Sequence, residues 1–298
     1  MPLIDRISTP SQHLQSMDSL TAAQNRMAQL QEQVSSGKAF QRASEDPNGA
    51  QSAMKLRAEQ TRMAQFANNI DTGLLRLNAA RIQIDSVNDQ LLRVRDIVTQ
   101  GQQTNGLMTA SVRSALAEEI DVLKSSLLIA ANADFAGRQL FAGASGVTAA
   151  YDANGNYRGD TNTITARVDP DSVVQTQVNG TEVFGTGVAN AFAVLTDIAA
   201  NLRSNTPANL AANLVSLDAV MNTAREAQAT VGARINQLNE LKDLTSDKEV
   251  SLAGALSAVE DTDLSKAIME LTLQQTGYEA ALHATASVMQ PSLMDFLR

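Results

Sequence analysis

From Leu56 the chain places an apolar residue at every seventh position: Leu56, Met63, Ile70, Leu77, Ile84, Leu91 and Val98. Three residues further on lie Phe66, Ala80, Val87 and Val94. Two interleaved rows of this kind suit a helix with a narrow seam that packs on another helix. The spacing predicts a helix of roughly 50 residues, about 75 Å long, that stops at Gly101–Gly106. After Pro207 a second long series follows: Leu214, Leu217, Met221, Ala224, Gln228, Val231, Ile235 and Leu238. A break near Ser246–Lys248 then precedes a short helix over 249–259.

Shorter helices are predicted over 109–133, on Val112, Leu116, Ile120, Leu123 and Leu127, and from Asn190, on Phe192, Leu195, Ile198 and Leu202. Between them Gly, Asn, Thr and Val dominate. Runs at Thr163–Val168 and Val173–Val178 read as strands, and Asn154-Gly155 and Asn179-Gly180 as hairpin turns. The fold class is mainly α: an elongated antiparallel long-helix bundle with coiled-coil terminal helices and a small β-rich insert at its distal end. The near-palindromic order of elements predicts a chain that runs out along a rod and returns, with both termini at one end. The expected domains are 1–45 with 250–298, 46–142 with 189–249, and an insert at 143–188.

The terminal helices are thin. Leu14, Met17, Leu20, Met27, Leu30 and Val34 recur in the first, which runs from about Ser11 to Ser36. Leu264, Ile268, Leu271, Gln275, Tyr278, Leu282, Thr285 and Met289 recur in the last, capped by Asp261-Thr262-Asp263 and ended by Pro291. Such stripes among Gln, Ala, Ser and Thr bury too little to hold an isolated helix. The ends are therefore expected to be poorly ordered alone and to fold against partner helices. Gly37 reads as a helix-ending C′ residue, and Asp46-Pro47 as an N-cap with a first-turn proline.

Composition narrows the function. Aromatic residues are 3% of the chain and Trp is absent, as in long helices with thin seams. The net charge of −9 gives no basic footprint for nucleic acid. There is no Cys, which excludes thiolate chemistry and a disulfide framework. No apolar run reaches the roughly 20 residues of a membrane span, and Met1–Pro10 lacks a signal-peptide core. A route out of the cell would thus read an uncleaved N-terminus.

A catalytic constellation is not apparent. His13 and His283 sit one in each terminal helix with no acidic cluster beside them. Asp152-Ala153-Asn154-Gly155-Asn156 opens like a calcium loop, but Tyr157 and Thr163 stand where that loop needs Gly and Glu. Asn179-Gly180-Thr181 fits a glycosylation pattern that turns often satisfy by chance. Neither an enzyme nor a cofactor or metal is expected.

Several segments resemble the flagellin superfamily, and within it the proteins that join hook to filament. Arg6-Ile7-Ser8-Thr9 resembles that family's start. Val34-Ser35-Ser36-Gly37-Lys38, followed by Ser44-Glu45-Asp46-Pro47-Asn48-Gly49-Ala50, resembles its connector. Arg138-Gln139-Leu140-Phe141-Ala142-Gly143 resembles the approach to its central β region, and Asp261–Ser265 through Gln290-Pro291-Ser292-Leu293 its ending. The resemblance implies a structural subunit outside the cell, exported unfolded through the flagellar type III apparatus. It implies contact with neighbouring copies, the first hook-associated protein, flagellin and an export chaperone, and with neither nucleic acid nor membrane. Assembly would bury the terminal stripes in cis and between neighbours, while Ser36, Gly37, Lys38, Glu45, Asp46 and Pro47 would meet the next subunit. The insert would face outward and tolerate change. A small flagellin that forms the filament itself is the alternative. Arg93, Arg95 and Asp96 resemble a flagellin segment read by an innate immune receptor; the preferred reading is the solvated flank of a coiled coil around seam residue Val94.

Overall fold

The computed structural model describes residues 9–102 and 109–289, without the side chains of 9–13, 207 and 287–289. The Arg6–Ser8 and Gln290–Leu293 motifs, Pro291 as a stop, and the side chains of His13 and Met289 lie outside the described residues. Seven α-helices are described: α1 (Thr9–Ser36), α2 (Pro47–Gly101), α3 (Ala110–Ala131), α4 (Gly180–Phe184), α5 (Ala191–Ser204), α6 (Pro207–Glu260) and α7 (Leu264–Met289). Four short strands make two separate antiparallel pairs: β1 (Asp134–Phe135) with β2 (Arg138–Gln139), and β3 (Thr165–Asp169) with β4 (Ser172–Gln175). Contacts divide the chain into two units, Met1–Thr61 with Glu249–Arg298, and Arg62–Lys248.

In the unit Arg62–Lys248 the predicted seam is the core. Met63, Phe66, Ile70, Leu77, Ala80, Ile84, Val87, Leu91, Val94 and Val98 are all buried. From Ile70 onward these residues share one hydrophobic cluster with Leu217, Met221, Ala224, Val231, Ile235 and Leu238 of α6. Polar ties along the flanks fix the direction: Arg95 to Asp218 at 3.0 Å, Gln228 to Asp85 at 2.6 Å and to Asn88 at 3.1 Å, and Lys242 to Asp71 at 2.7 Å. As positions rise along α2 they fall along α6, so the helices are antiparallel. Thr109 caps α3 through Val112 N–H, and α3 runs antiparallel to α5 through Lys124–Thr196 and the ion pairs of Arg203 with Glu118 and Asp121. Phe192, Leu195, Ile198 and Leu202 of α5 are buried as predicted, with Asn190 as N-cap.

Five of the chain's ten Phe and Tyr rings gather in and beside the insert. Phe141, Tyr151, Tyr157, Phe184 and Phe192 meet at centroid distances of 5.0–5.7 Å, within the favourable edge and offset range. They belong to or pack on the same cluster as α3 and α5, so the insert's interior is continuous with the helical core.

Two local expectations are corrected. The break near Ser246–Lys248 does not exist: α6 runs unbroken for 54 residues. The apolar seam lapses there, but no Gly or Pro interrupts the backbone ladder, and loss of amphipathicity alone does not end a helix. Asn179-Gly180 is not a hairpin turn. Asn179 is the N-cap position of α4, while β3 and β4 are joined through Pro170-Asp171. Asn154-Gly155 does turn the chain, between the bridged residues Tyr151 and Tyr157.

Candidate assembly site

In the unit Met1–Thr61 with Glu249–Arg298, α1 ends where Gly37 takes φ 72°, its N–H donating to the Gln33 carbonyl at 2.9 Å. That left-handed residue turns the connector onto the start of the last helical segment. Thr262 N–H donates to Gly37 O (2.9 Å), and Ala39 N–H donates to Glu260 O (2.7 Å). Lys38 and Asp261 form an antiparallel bridge between them. Glu260, the last residue of α6, is buried and accepts from Lys38 Nζ at 3.0 Å and from the Arg57 guanidinium of α2. The Lys38 hydrogen bond is the main force that holds its carboxyl below the usual range.

Below this clasp Phe40 is buried against Ala50 and Ala53, with Ala39, Leu256 and Val259 around it. The connector closes on itself. Glu45 accepts from the backbone N–H of Gln41 (2.9 Å), which lowers its pKa. Asp46 accepts from Gly49 N–H at 2.9 Å, the N-cap predicted for α2. An open cleft of about 520 Å³ lies over Phe40, Ala50, Ala53 and Met54, rimmed by Lys38 and Arg57. Ser36, Glu45, Asp46 and Pro47 are exposed; Gly37 and Lys38 are half-buried.

The terminal helices α1 and α7 pack on each other. They are antiparallel: Gly37 meets Thr262, Gln274 Nε2 reaches Ala23 O (3.5 Å), and Leu20 lies near Ala281. Solvent protection on α1 follows Leu20, Ala23, Met27, Leu30 and Val34; on α7 it follows Ala267, Leu271, Gln274, Tyr278, Ala281 and Thr285. Both rows step by four and three, the pattern of a coiled-coil seam. Of the predicted stripe, the structure thus brings together Leu20, Met27, Leu30 and Val34 with Leu271 and Tyr278. Leu14, Met17, Leu264, Ile268 and Leu282 instead face solvent.

The predicted α7 stripe and the observed seam share Leu271, Tyr278 and Thr285. The reading by size followed the adjacent row of large residues. The seam itself takes alanines at 267 and 281, whose small side chains allow close approach. Met269 and Leu273, on another face of α7, are also exposed. They were absent from the predicted stripe because they fall outside its heptad row.

The other candidates resolve into structural roles. Arg93 pairs with Glu119 of α3 at 2.6 Å and Arg95 with Asp218 of α6, while Val94 between them is fully buried. The Asp152 carboxylate accepts from Asn154 N–H, Asn156 N–H, the Asn156 amide and Arg158, and these bonds hold its pKa down to about 2. It closes a turn. Asn179 is buried, with its amide donating to Thr161 O. His283 is exposed on α7. Among the described residues no group of His, Cys, Asp and Glu is placed to hold a metal ion, and no helix is long and apolar enough to cross a membrane.

Residues 7–146 match the bacterial flagellin N-terminal helical region. Flagellar hook-associated protein 3 of Salmonella typhimurium is 24% identical over 323 aligned residues, covering 98% of this chain and 100% of the relative. The chain is a homologue of flagellar hook-associated protein 3. The Escherichia coli protein of the same name is 26% identical over 318 aligned residues, 97% of this chain and 98% of its own. A solved structure of a flagellar hook-associated protein from Vibrio parahaemolyticus shares the fold, with a TM-score of 0.67 at 24% identity, over 73% of this chain and 100% of that one.

Proposed function

We propose that this chain is a structural subunit of the bacterial flagellum, placed outside the cell at the junction of hook and filament, and not an enzyme. Homology over nearly the whole length to hook-associated protein 3 supports the role. One observation suggests how it is carried out. The terminal helices satisfy one seam with each other and still expose Leu14 and Met17 on α1 and Leu264, Ile268 and Leu282 on α7. An apolar surface of this kind on helices otherwise polar is what a neighbouring helix would cover.

In this reading the exposed rows pack against neighbouring copies, and the connector Ser36–Pro47 supplies a second contact. The first hook-associated protein lies on the hook side and flagellin on the filament side. Before assembly an export chaperone masks the α7 surface, and the chain leaves through the flagellar type III route. Its thin terminal pair is cheap to unfold for that passage.

Negative-stain electron microscopy of the purified protein in flagellin-polymerising salt tests the reading. Monomers that stay in solution, yet cap isolated hooks bearing the first hook-associated protein, are expected. Long filaments of this protein alone would make it a flagellin and overturn the junction role.

A further inference from the structure

Lacking cysteine, the chain presents peroxide with methionine thioethers as its oxidisable sulfur. Among the methionines whose side chains the structure describes, placement is uneven. Met17, Met54 and Met269 are 59%, 60% and 66% exposed, and all lie in the unit Met1–Thr61 with Glu249–Arg298. In the unit Arg62–Lys248, Met63 and Met221 are 9% and 2% exposed, locked in the helical core. Met27 is half-buried in the α1–α7 seam.

Met17 belongs to the exposed α1 row that the junction reading assigns to contacts between copies, Met54 lines the cleft beside the connector, and Met269 is next in sequence to the exposed Ile268 of α7. Met17 lies on α1 outside the cis seam, and Met269 on the solvent side of α7. Met54 lines the connector cleft with Phe40, Ala50 and Ala53, beside Arg57. We propose that Met17, Met54 and Met269 are oxidation sites that switch off incorporation of the unassembled subunit while its core stays folded. The inference rests on the junction reading. Hydrogen peroxide transfers one oxygen to the thioether sulfur as its O–O bond breaks; sulfur is oxidised, the peroxide is reduced, and water leaves. The sulfoxide is polar, so a contact that would have buried an apolar side chain must bury an unpaired acceptor instead.

The test treats the full-length protein with hydrogen peroxide, maps sulfoxides by peptide mass spectrometry, and scores addition to isolated hooks. Oxidation is expected at Met17, Met54 and Met269 ahead of Met63 and Met221, with unchanged far-ultraviolet circular dichroism and loss of incorporation. The triple variant Met17→Leu, Met54→Leu, Met269→Leu should keep incorporating after the same treatment. Should leucine at these sites itself block addition, the treated wild type decides: methionine sulfoxide reductases A and B should restore it. The proposal is overturned if wild type carrying all three sulfoxides still adds, if the leucine variant loses addition equally, or if reduction fails to restore it. Failure of untreated wild type to cap hooks would instead remove the junction reading.

Discussion

Lys38 Nζ lies 3.0 Å from Oε1 of Glu260, joining the connector after α1 to the last residue of α6 across 222 positions of sequence. Arg57 reaches the same oxygen from α2. The cations are each about half exposed but the carboxylate is buried, so the triad lies between the surface and buried limits for ion pairs. Glu260→Gln should cost roughly 1–2 kcal/mol, because both cations lose their shared partner. Hydrogen exchange should quicken at the Ala39 and Thr262 amides, which close the clasp. Unchanged protection there would mean that the backbone bridge alone holds the connector.

The same carboxyl sets a pH dependence. Its folded pKa is depressed, so its contribution is complete above the unfolded value of about 4.3 and is lost as pH falls through the lower folded value. Wild type should therefore lose clasp protection in acid, below the usual carboxylate range. Glu260→Gln should lose less over that window, and an identical acid profile in the two proteins would exclude Glu260 as the titrating group.

The long seam was legible in the sequence because Ile70, Leu77, Ile84, Leu91 and Val98 must share one face at any helical twist near 3.5 residues per turn. Leu77 is fully buried and Leu75, two residues away, is 61% exposed. Leu77→Ala should cost about 3–4 kcal/mol in urea unfolding, and Leu75→Ala within about 0.5 kcal/mol. Equal effects would refute the register. What stayed hidden depended on contacts distant in sequence. Nothing local to Glu260 says that Lys38 and Arg57 will meet it, nor that Ala267 and Ala281 outrank Leu264 and Leu282 as seam residues. Asn179-Gly180 carried a turn signal that marks the start of α4, with no capping bond from the Asn179 side chain, and not a hairpin.

Gly155 distinguishes backbone strain from crowding. It holds φ 82°, and a Cβ there would stand 2.6 Å from Phe192 Cγ in the aromatic core. Gly37 holds φ 72° with open space around it. Gly37→Ala should show only the left-handed penalty, about 1–2 kcal/mol. Gly155→Ala should exceed it, because overpacking adds roughly 1–3 kcal/mol. Thermal unfolding of both variants gives the comparison, and a smaller effect at Gly155 would show that the Phe192 ring yields freely. It would also favour the expectation that the insert tolerates change.

The surface proposed for assembly separates from the seam at Leu271 and Ile268, three residues apart on α7. Leu271 is half-buried against α1, whereas Ile268 is 51% exposed. A charge at Leu271 must disturb the pair within the monomer and contacts between monomers alike, so its failure to assemble would not locate the interface. Ile268→Glu should leave the monomer's stability within about 0.5 kcal/mol of wild type, as expected for an exposed site. In the hook-capping assay it should abolish addition, since a neighbouring helix covering that face would have to bury an unpaired carboxylate. The measurement pairs urea unfolding with electron microscopy of capped hooks. Normal capping by Ile268→Glu would place the contact between copies elsewhere and leave the exposed row of α7 without a role in assembly.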